Sequence, residues 1–270
     1  MVGASSLNRP REIERASALL SGAGRIVVLT GAGISAESGV PTFRGPGGMW
    51  KSLRPEDLAT PEAFRRDPAL VLEWYAWRRA LVRECSPNPA HHALARLALE
   101  VPGRTTLVTQ NVDGLHHRAA RAEAGTADPA PAFPHEVHGA IHRTRCSRCG
   151  WVDEDPQDVV APDLPRCPRC AALMRPDVVW FGEMLDPDVL GASFDAAEAA
   201  DVCLVVGTSA LVYPAASVPE VTLAAGGIVI EVNLEPTPLT RRAEVSLLGE
   251  AGQLLPALTA YAPAPRDGAG

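Results

Sequence analysis

Apolar residues change their spacing several times along this chain, and each change predicts an element. Ile13, Ala16, Leu19 and Leu20 recur at helical spacing, ahead of a short β-branched run, RIVVLT, from Arg25 to Thr30 that stops at Gly31-Ala-Gly33. Similar runs recur at Thr105–Thr109, Asp201–Val206 and Gly227–Val232, each ending in a polar or glycine-containing turn. Short continuous runs of this kind read as strands buried on both faces. Between them, Ser193–Ala200 and Tyr213–Ala225 read as helices. Strands alternating with helices predict a parallel sheet with crossovers, whose ligands gather at the carboxyl ends of the strands. One edge would then carry Gly31–Ser35, Gln110–Asp113, Gly207–Ser209 and Asn233.

Two regions interrupt the alternation. Residues 42–100 read as helices and loops (Pro61–Arg66, Ala69–Val82, Ala90–Leu99), and residues 141–177 hold paired cysteines with few apolar runs. The simplest architecture is α/β: a discontinuous parallel-sheet domain from 1–41, 101–140 and 178–261, with 42–100 and 141–177 inserted as a smaller lobe. Ala119–Pro134 reads as a surface loop and 262–270 as a disordered tail.

Composition narrows the class. Of 270 residues 46% are hydrophobic, enough for a sizeable core. The formal charge is 25 − 32 = −7 without a basic run, which argues against non-specific nucleic-acid binding. No stretch approaches the roughly 18 apolar residues of a spanning helix, and the N-terminal residues lack an export signal. Four of six cysteines form two CxxC pairs, which in such a chain read as metal ligands in a reducing cytosol.

Cys146 and Cys149, then Cys167 and Cys170, have the spacing of a four-thiolate zinc site. With sulfur in all four positions the metal would be structural. Arg143, Arg145, Arg148, Arg166 and Arg169 are matched in number by Asp153, Glu154, Asp155, Asp158 and Asp163, so the module is a poor phosphate binder. Cys85 and Cys203 read as core residues. Gly31 and Gly33 after a strand suit close approach to a pyrophosphate, but the next glycine is Gly39, which breaks the ordinary GxGxxG spacing. Gln110, Asn111 and Asp113 could hold ribose hydroxyls or a carboxamide, or Asn111 and Asp113 could simply cap a helix. Seven histidines could each act as a base, and only its place before the cysteine module favours His138.

Taken together, the motifs resemble the sirtuins. GAGISAESGVPTFRGPGGMW (31–50), TQNVDGLH (109–116), VHG (137–139), the paired CxxC, RPDVVWFGE (175–183), GTSALVYPAA (207–216) and VNLEP (232–236) follow the family's order over residues 10–258. The resemblance implies a Rossmann-like domain, a zinc lobe, and NAD-dependent removal of acyl groups from protein lysines. NAD would be consumed, giving free lysine, nicotinamide and O-acyl-ADP-ribose. By similarity, Gly31, Ala32, Gly33, Ser35 and Ala36 would lie at the phosphates, with Phe43, Arg44 and Trp50 on a lid. Gln110, Asn111, Val112 and Asp113 would face the ribose and carboxamide. Gly207, Thr208, Ser209, Asn233, Leu234, Glu235 and Ala251 would line the adenosine end. His138 would be the general base, and Val179, Trp180, Phe181, Gly182 and Glu183 would pair with the substrate backbone.

One pair refines the acyl group. Tyr75 and Arg78, at i and i+3, share a helix face and suit a carboxylate, resembling sirtuins that remove malonyl, succinyl or glutaryl groups. Ala59 would leave space for the longer chain, and Arg79 is expected to be solvated or beside an acidic group. The expected partners are acylated-lysine proteins or peptides, with neither nucleic acid nor membrane. Two rivals share these residues: a mono-ADP-ribosyltransferase, and a non-enzymatic NAD sensor or zinc-ribbon binding module.

Overall fold

The computed structural model describes residues 9–41, 53–156 and 163–260. The N-terminal helix is α1 (Arg9–Gly22), followed by β1 (Ile26–Thr30) and a short α2 (Ala32–Ala36). Next come α3 (Pro55–Leu58), α4 (Pro61–Arg66), α5 (Pro68–Glu84) and α6 (Pro89–Glu100). The last three start alike: Thr60, Asp67 and Asn88 accept hydrogen bonds from Ala63, Leu70 and Ala90, each at 3.0 Å, and a proline occupies the first turn. A side-chain acceptor followed by proline is a strong start signal, because both relieve orphan amides.

The chain continues through β2 (Thr105–Thr109), α7 (Leu115–Ala124), β3 (His135–Glu136), β4 (Gly139–Cys146), β5 (Val152–Asp153) and β6 (Met174–Val178). It ends with α8 (Pro187–Glu198), β7 (Val202–Val206), α9 (Val218–Ala224), β8 (Ile228–Asn233), β9 (Val245–Leu248) and α10 (Ala251–Thr259). Six strands pair in parallel in the order β3-β2-β1-β7-β8-β9. Counted within the sheet this is 3-2-1-4-5-6, the Rossmann order, whose switch point lies between β1 and β7. The expected α/β fold is therefore the observed one.

All five residues of β1 and of β7 are buried. Ile26 and Val28 face a core shared with Leu20, Leu94 and Leu255, while Val27 and Leu29 face one shared with Ala197 and Val218. A separate core forms where α4 and α5 meet β4 and β6, around Phe64, Trp74, Tyr75, Ile141 and Trp180. The strands β5-β4-β6 make a small antiparallel sheet around the cysteines.

Three expectations change. The first insertion, 42–100, does not stay together: α6 packs on the large sheet through Ala90, Ala93, Leu94 and Leu97. Its apolar stripe fits either lobe, and α10, which the sequence pattern left unassigned, supplies the partner surface of Leu254, Leu255 and Leu258. Ala119–Pro134 is no simple surface loop, since α7 runs to Ala124 with Ala119 and Ala120 buried and Ala120 clustered with Ala98 and Ala132. Alanine favours helix and packs where larger groups would not. The helix expected from Tyr213 begins only at Val218, with Pro219 in its first turn, and Tyr213 is exposed. The tail 262–270 lies outside the described residues.

Candidate active site

Parallel pairing brings the ends of β1, β2, β7 and β8 to one edge, and the four polar turns expected there interlock. The Gly31 amide donates to the Val206 carbonyl (3.1 Å), that of Gly33 to Gly207 (2.8 Å), and that of Gly207 to Val232 (3.0 Å). Gly207 has φ +60, and a Cβ there would lie 2.4 Å from the Ile34 nitrogen. A Cβ on Gly33 would lie 2.7 Å from the Gly207 carbonyl oxygen. The glycine missing from the usual spacing thus has a counterpart across the sheet in Gly207. With their amides committed, Gly31 and Gly33 give this cradle its shape rather than its donors. Gly33, Gly207, Asn233, Leu234 and Ala251 line one cleft together with Glu37, whose carboxylate accepts from the Gly252 amide (3.0 Å) at the start of α10. Ala32 and Ser209 are half-buried beside it in sequence, while Ala36 and Glu235 are exposed. Phe43, Arg44 and Trp50 lie outside the described residues.

The turn after β2 is tied down by its own side chains. Gln110 Nε2 donates to Thr208 Oγ1 (2.9 Å), and Asn111 Nδ2 to the Gly31 carbonyl and Ser35 Oγ (3.1 Å each). Asn233 Nδ2 donates to the Thr208 carbonyl (2.7 Å). The Val112 carbonyl accepts from the Ile141 amide (2.8 Å), joining the turn to β4. Asp113, one residue before the Gly114 cap position, accepts from the Leu115 amide at the start of α7 (2.9 Å) and is only 4% exposed. Burial raises its carboxyl above the usual range, against the pull of that amide and of Ser35.

His138 sits half-buried between β3 and β4. Its Nδ1 lies 2.9 Å from the Gln110 carbonyl oxygen. A carbonyl only accepts, so the ring proton is on Nδ1 and Nε2 carries the lone pair. Burial lowers the imidazole below its ordinary value, the Gln110 carbonyl acting in opposition, so it is neutral at pH 7. The next residue, Gly139 (φ +79), must be glycine, because a Cβ would lie 2.1 Å from the Asp177 carbonyl oxygen.

Two further histidines, alike in sequence to the rest, lie beneath this edge. His91 and His116 are 0% and 3% exposed, with ring centres 4.8 Å apart. His116 Nε2 is 3.0 Å from Thr30 Oγ1, which donates to Thr109 Oγ1, which accepts from the Asn111 amide. His91 Nε2 is 3.3 Å from Ser35 Oγ. Burial draws His91 down to about 3 and His116 well below its ordinary value. The position of His91 on the apolar stripe of α6, three residues before Leu94, is the signal that could have singled it out.

Tyr75 and Arg78 share a buried face of α5, 2% and 5% exposed. Trp180 Nε1 donates to Tyr75 Oη (2.9 Å), and the Arg78 guanidinium lies 5.3 Å from the Trp74 ring centre. Burial pushes the Tyr75 phenol up to about 12, so it stays protonated. The expectation of a solvated Arg79 is corrected: it is 4% exposed and donates to the Ile141 carbonyl (3.1 Å), because α5 lies against β4. Val179 donates from its amide to the His138 carbonyl (2.9 Å), Trp180 to Glu183 Oε2 (2.9 Å), Phe181 to the Ala59 carbonyl (3.0 Å), and Glu183 to the Trp180 carbonyl (3.0 Å). With those amides committed, strand addition here would rely chiefly on carbonyl acceptors, beside the exposed Phe181 and Gly182. Burial works to raise the Glu183 carboxyl, but Arg175 at 2.5 and 2.9 Å and the Trp180 amide hold it below its ordinary value.

The cysteines converge as their spacing implied. The four sulfurs lie within 4.8 Å of one another, with Cys146 and Cys170 at 3.4 Å and Cys149 and Cys167 at 3.6 Å. Tetrahedral zinc with bonds of about 2.3 Å would space them about 3.8 Å apart. Amides of Cys149 and Arg148 point at Cys146 Sγ, each at 3.4 Å, and draw that thiol down to about 6. The donor set fits a closed structural zinc site. Glu154 stays within 4.0 Å of Arg143, but the nearer partners of the module's arginines are others. Arg143 bonds Asp177 (2.9 Å) and Glu136 (3.2 Å), Arg166 the Ala171 carbonyl (3.0 Å), and Arg148 the Cys170 carbonyl. Cys203 is a core residue, whereas Cys85 is half-buried. Among the described residues no helix is long and apolar enough to cross a membrane.

A doubly wound sheet, interlocked glycine turns, a neutral histidine and a four-cysteine module define a dinucleotide-binding α/β protein with a metal-stapled lobe. The Sir2 family model matches residues 31–214. The chain is 49% identical over 243 residues to NAD-dependent protein deacylase 2 of Pyrobaculum aerophilum, covering 89% of this chain and 92% of that one. It is 45% identical over 256 residues to the mitochondrial NAD-dependent protein deacylase sirtuin-5 of Danio rerio (86% and 81% covered). The solved structure of a Sir2 homologue–NAD complex superposes with a TM-score of 0.83 at 43% identity, covering 97% and 96%. This chain belongs to the Sir2 family.

Proposed function

We propose that this protein is an NAD-dependent protein-lysine deacylase, taking acetyl-lysine and acidic acyl-lysines such as succinyl- and malonyl-lysine. The observation that carries the reading is the position of His138. Its ring is bonded to the turn that carries Asn111 and Asp113, and its carbonyl to the segment that starts at Val179. Bound NAD would supply the acceptor of the acyl group and lose nicotinamide. Gly31, Gly33 and Ser35 would lie at its phosphates, Gly207, Thr208 and Asn233 at its adenosine end, and Asn111 and Asp113 at its nicotinamide end. His138 Nε2 takes up a proton during transfer, and its Nδ1–H stays on the Gln110 carbonyl. Tyr75 and Arg78 would take the carboxylate of an acidic acyl chain, where a guanidinium and a phenol are both charge-compatible donors. Cys146, Cys149, Cys167 and Cys170 would hold one structural zinc.

The test is turnover of an acyl-peptide panel with NAD by zinc-replete protein, followed by mass spectrometry. Nicotinamide and O-acyl-ADP-ribose are expected. Label from NAD appearing on protein instead would assign ADP-ribosyl transfer, and no turnover with any acyl group would reject the deacylase reading. Arg78→Met should lower desuccinylation at least tenfold more than deacetylation, since a carboxylate transferred into a buried site loses its cation. Equal losses would sink the role of this pair.

A further inference from the structure

Tyr75 is useful to an acyl carboxylate only as a donor, and its surroundings decide whether it is one. The phenol oxygen receives the indole N–H of Trp180 at 2.9 Å. That contact occupies an acceptor site on the oxygen and directs the phenol's own hydrogen away from the indole. Trp180 is itself fixed. The Arg175 guanidinium lies 3.4 Å from its ring centre, and Phe64 packs on it with centroids 5.3 Å apart. Arg175 in turn is held by Glu183, at 2.5 and 2.9 Å, and by the Val178 carbonyl at 2.6 Å. Trp74 meets Tyr75 edge-on, with centroids 4.6 Å apart. Trp180, Tyr75 and Arg78 are 3%, 2% and 5% exposed, so water does not compete for these groups.

We infer that Trp180 is a specificity-determining positioning residue: its indole N–H fixes Tyr75 as a hydrogen-bond donor, so that Tyr75 and Arg78 together select acyl chains ending in a carboxylate. Beyond the backbone pairing expected of Trp180, its side chain supplies a second role. A phenol left to rotate could offer a lone pair to the incoming carboxylate, which repels; a phenol oxygen already accepting from Trp180 favours the orientation in which its own hydrogen points the other way. An acetyl group has no atom for this donor to reach, so the effect is confined to acidic acyl chains. The inference rests on the proposed acidic-acyl reading.

The experiment compares kcat/KM for matched succinyl- and acetyl-lysine peptides in wild type, Trp180→Phe, Tyr75→Phe and the double variant. Phenylalanine keeps a ring against Arg175 and removes the N–H. Trp180→Phe should lower desuccinylation at least tenfold more than deacetylation, mainly through KM. In the Tyr75→Phe background it should add less than twofold to the succinyl-to-acetyl ratio, because the effect passes through the phenol. Equal losses on both peptides, or selective losses that multiply in the double variant, would overturn the inference while leaving the deacylase reading in place. Wild-type protein that removes acetyl but never succinyl groups would overturn both the acidic-acyl reading and this one. If Trp180→Phe does not fold, benzothienylalanine at 180, with sulfur in place of N–H, is read in the same way.

Discussion

The two sheets are stabilised by different means. In the large sheet, strands such as Ile26–Thr30 are buried on both faces and helices cover them with leucine, valine and alanine. Each fully buried aliphatic side chain there contributes about 1.5–3 kcal/mol, and the sheet needs nothing but its own chain. The small sheet has one eight-residue strand, β4, which joins the core around Trp74 and Trp180 through Ile141, and two shorter strands; at its cysteine end the cluster is little more than Cys146, Cys167 and Met174 with Trp151, Cys170 and Ala172 at the margin. Order at that end comes from amides aimed at sulfur and arginines that hold the cysteine turns, and a metal bound by the four sulfurs would close it. A region that cannot bury enough surface is closed by coordination instead.

Zinc removal should separate the two most strongly, because site formation in small zinc modules is worth roughly 10 kcal/mol. Chelation, or Cys167→Ser, is expected to abolish turnover and protease resistance around 141–177. The far-UV circular dichroism of the large sheet should survive; a single cooperative loss of everything would show that the sheets are one unit. His138→Ala should reduce kcat by about 10²–10⁴-fold, the range for a lost general base, with a melting temperature within a few degrees of wild type. A melting point that falls with activity would make the residue structural.

Gly207→Ala probes the large sheet, since its Cβ would meet the Ile34 nitrogen at 2.4 Å in a left-handed backbone. Urea titration should show a loss of about 3 kcal/mol. A loss under about 0.5 kcal/mol would mean that the two turns are not locked together. The smallest expected effect is that of pH. The folded pKa of His91 is depressed to about 3, so the unfolded chain protonates first as pH falls below about 6.5. Stability from this group is complete above that pH and declines by about 1.4 kcal/mol per unit below it, with His116 shifted in the same direction. Urea midpoints at pH 7.0, 6.5, 6.0 and 5.5 check the slope, and His91→Leu, if folded, should flatten it. Turnover should likewise hold below the pKa of free imidazole, since burial lowers His138 as well.

The sheet was legible because its strands are continuous apolar runs that end in glycine or polar turns, and the helices expected at Pro61–Arg66, Ala69–Val82 and Ala90–Leu99 lie within two residues of α4, α5 and α6. The cysteine cluster was legible because CxxC fixes its own local geometry. The lobe to which α6 belongs was not, since an apolar stripe does not name the surface it covers. Nor were the roles of Arg79, Arg175, His91 and His116. A charged or titratable residue announces itself as a candidate for solvent or chemistry. Its burial against a carbonyl or a ring depends on elements distant in the chain, such as Ile141 for Arg79 and Trp180 for Arg175.

The carbonyl of His138 takes the Val179 amide while its imidazole takes the Gln110 oxygen, so a single residue is hinged to both halves of the cleft. The ring is thereby aimed before any ligand arrives.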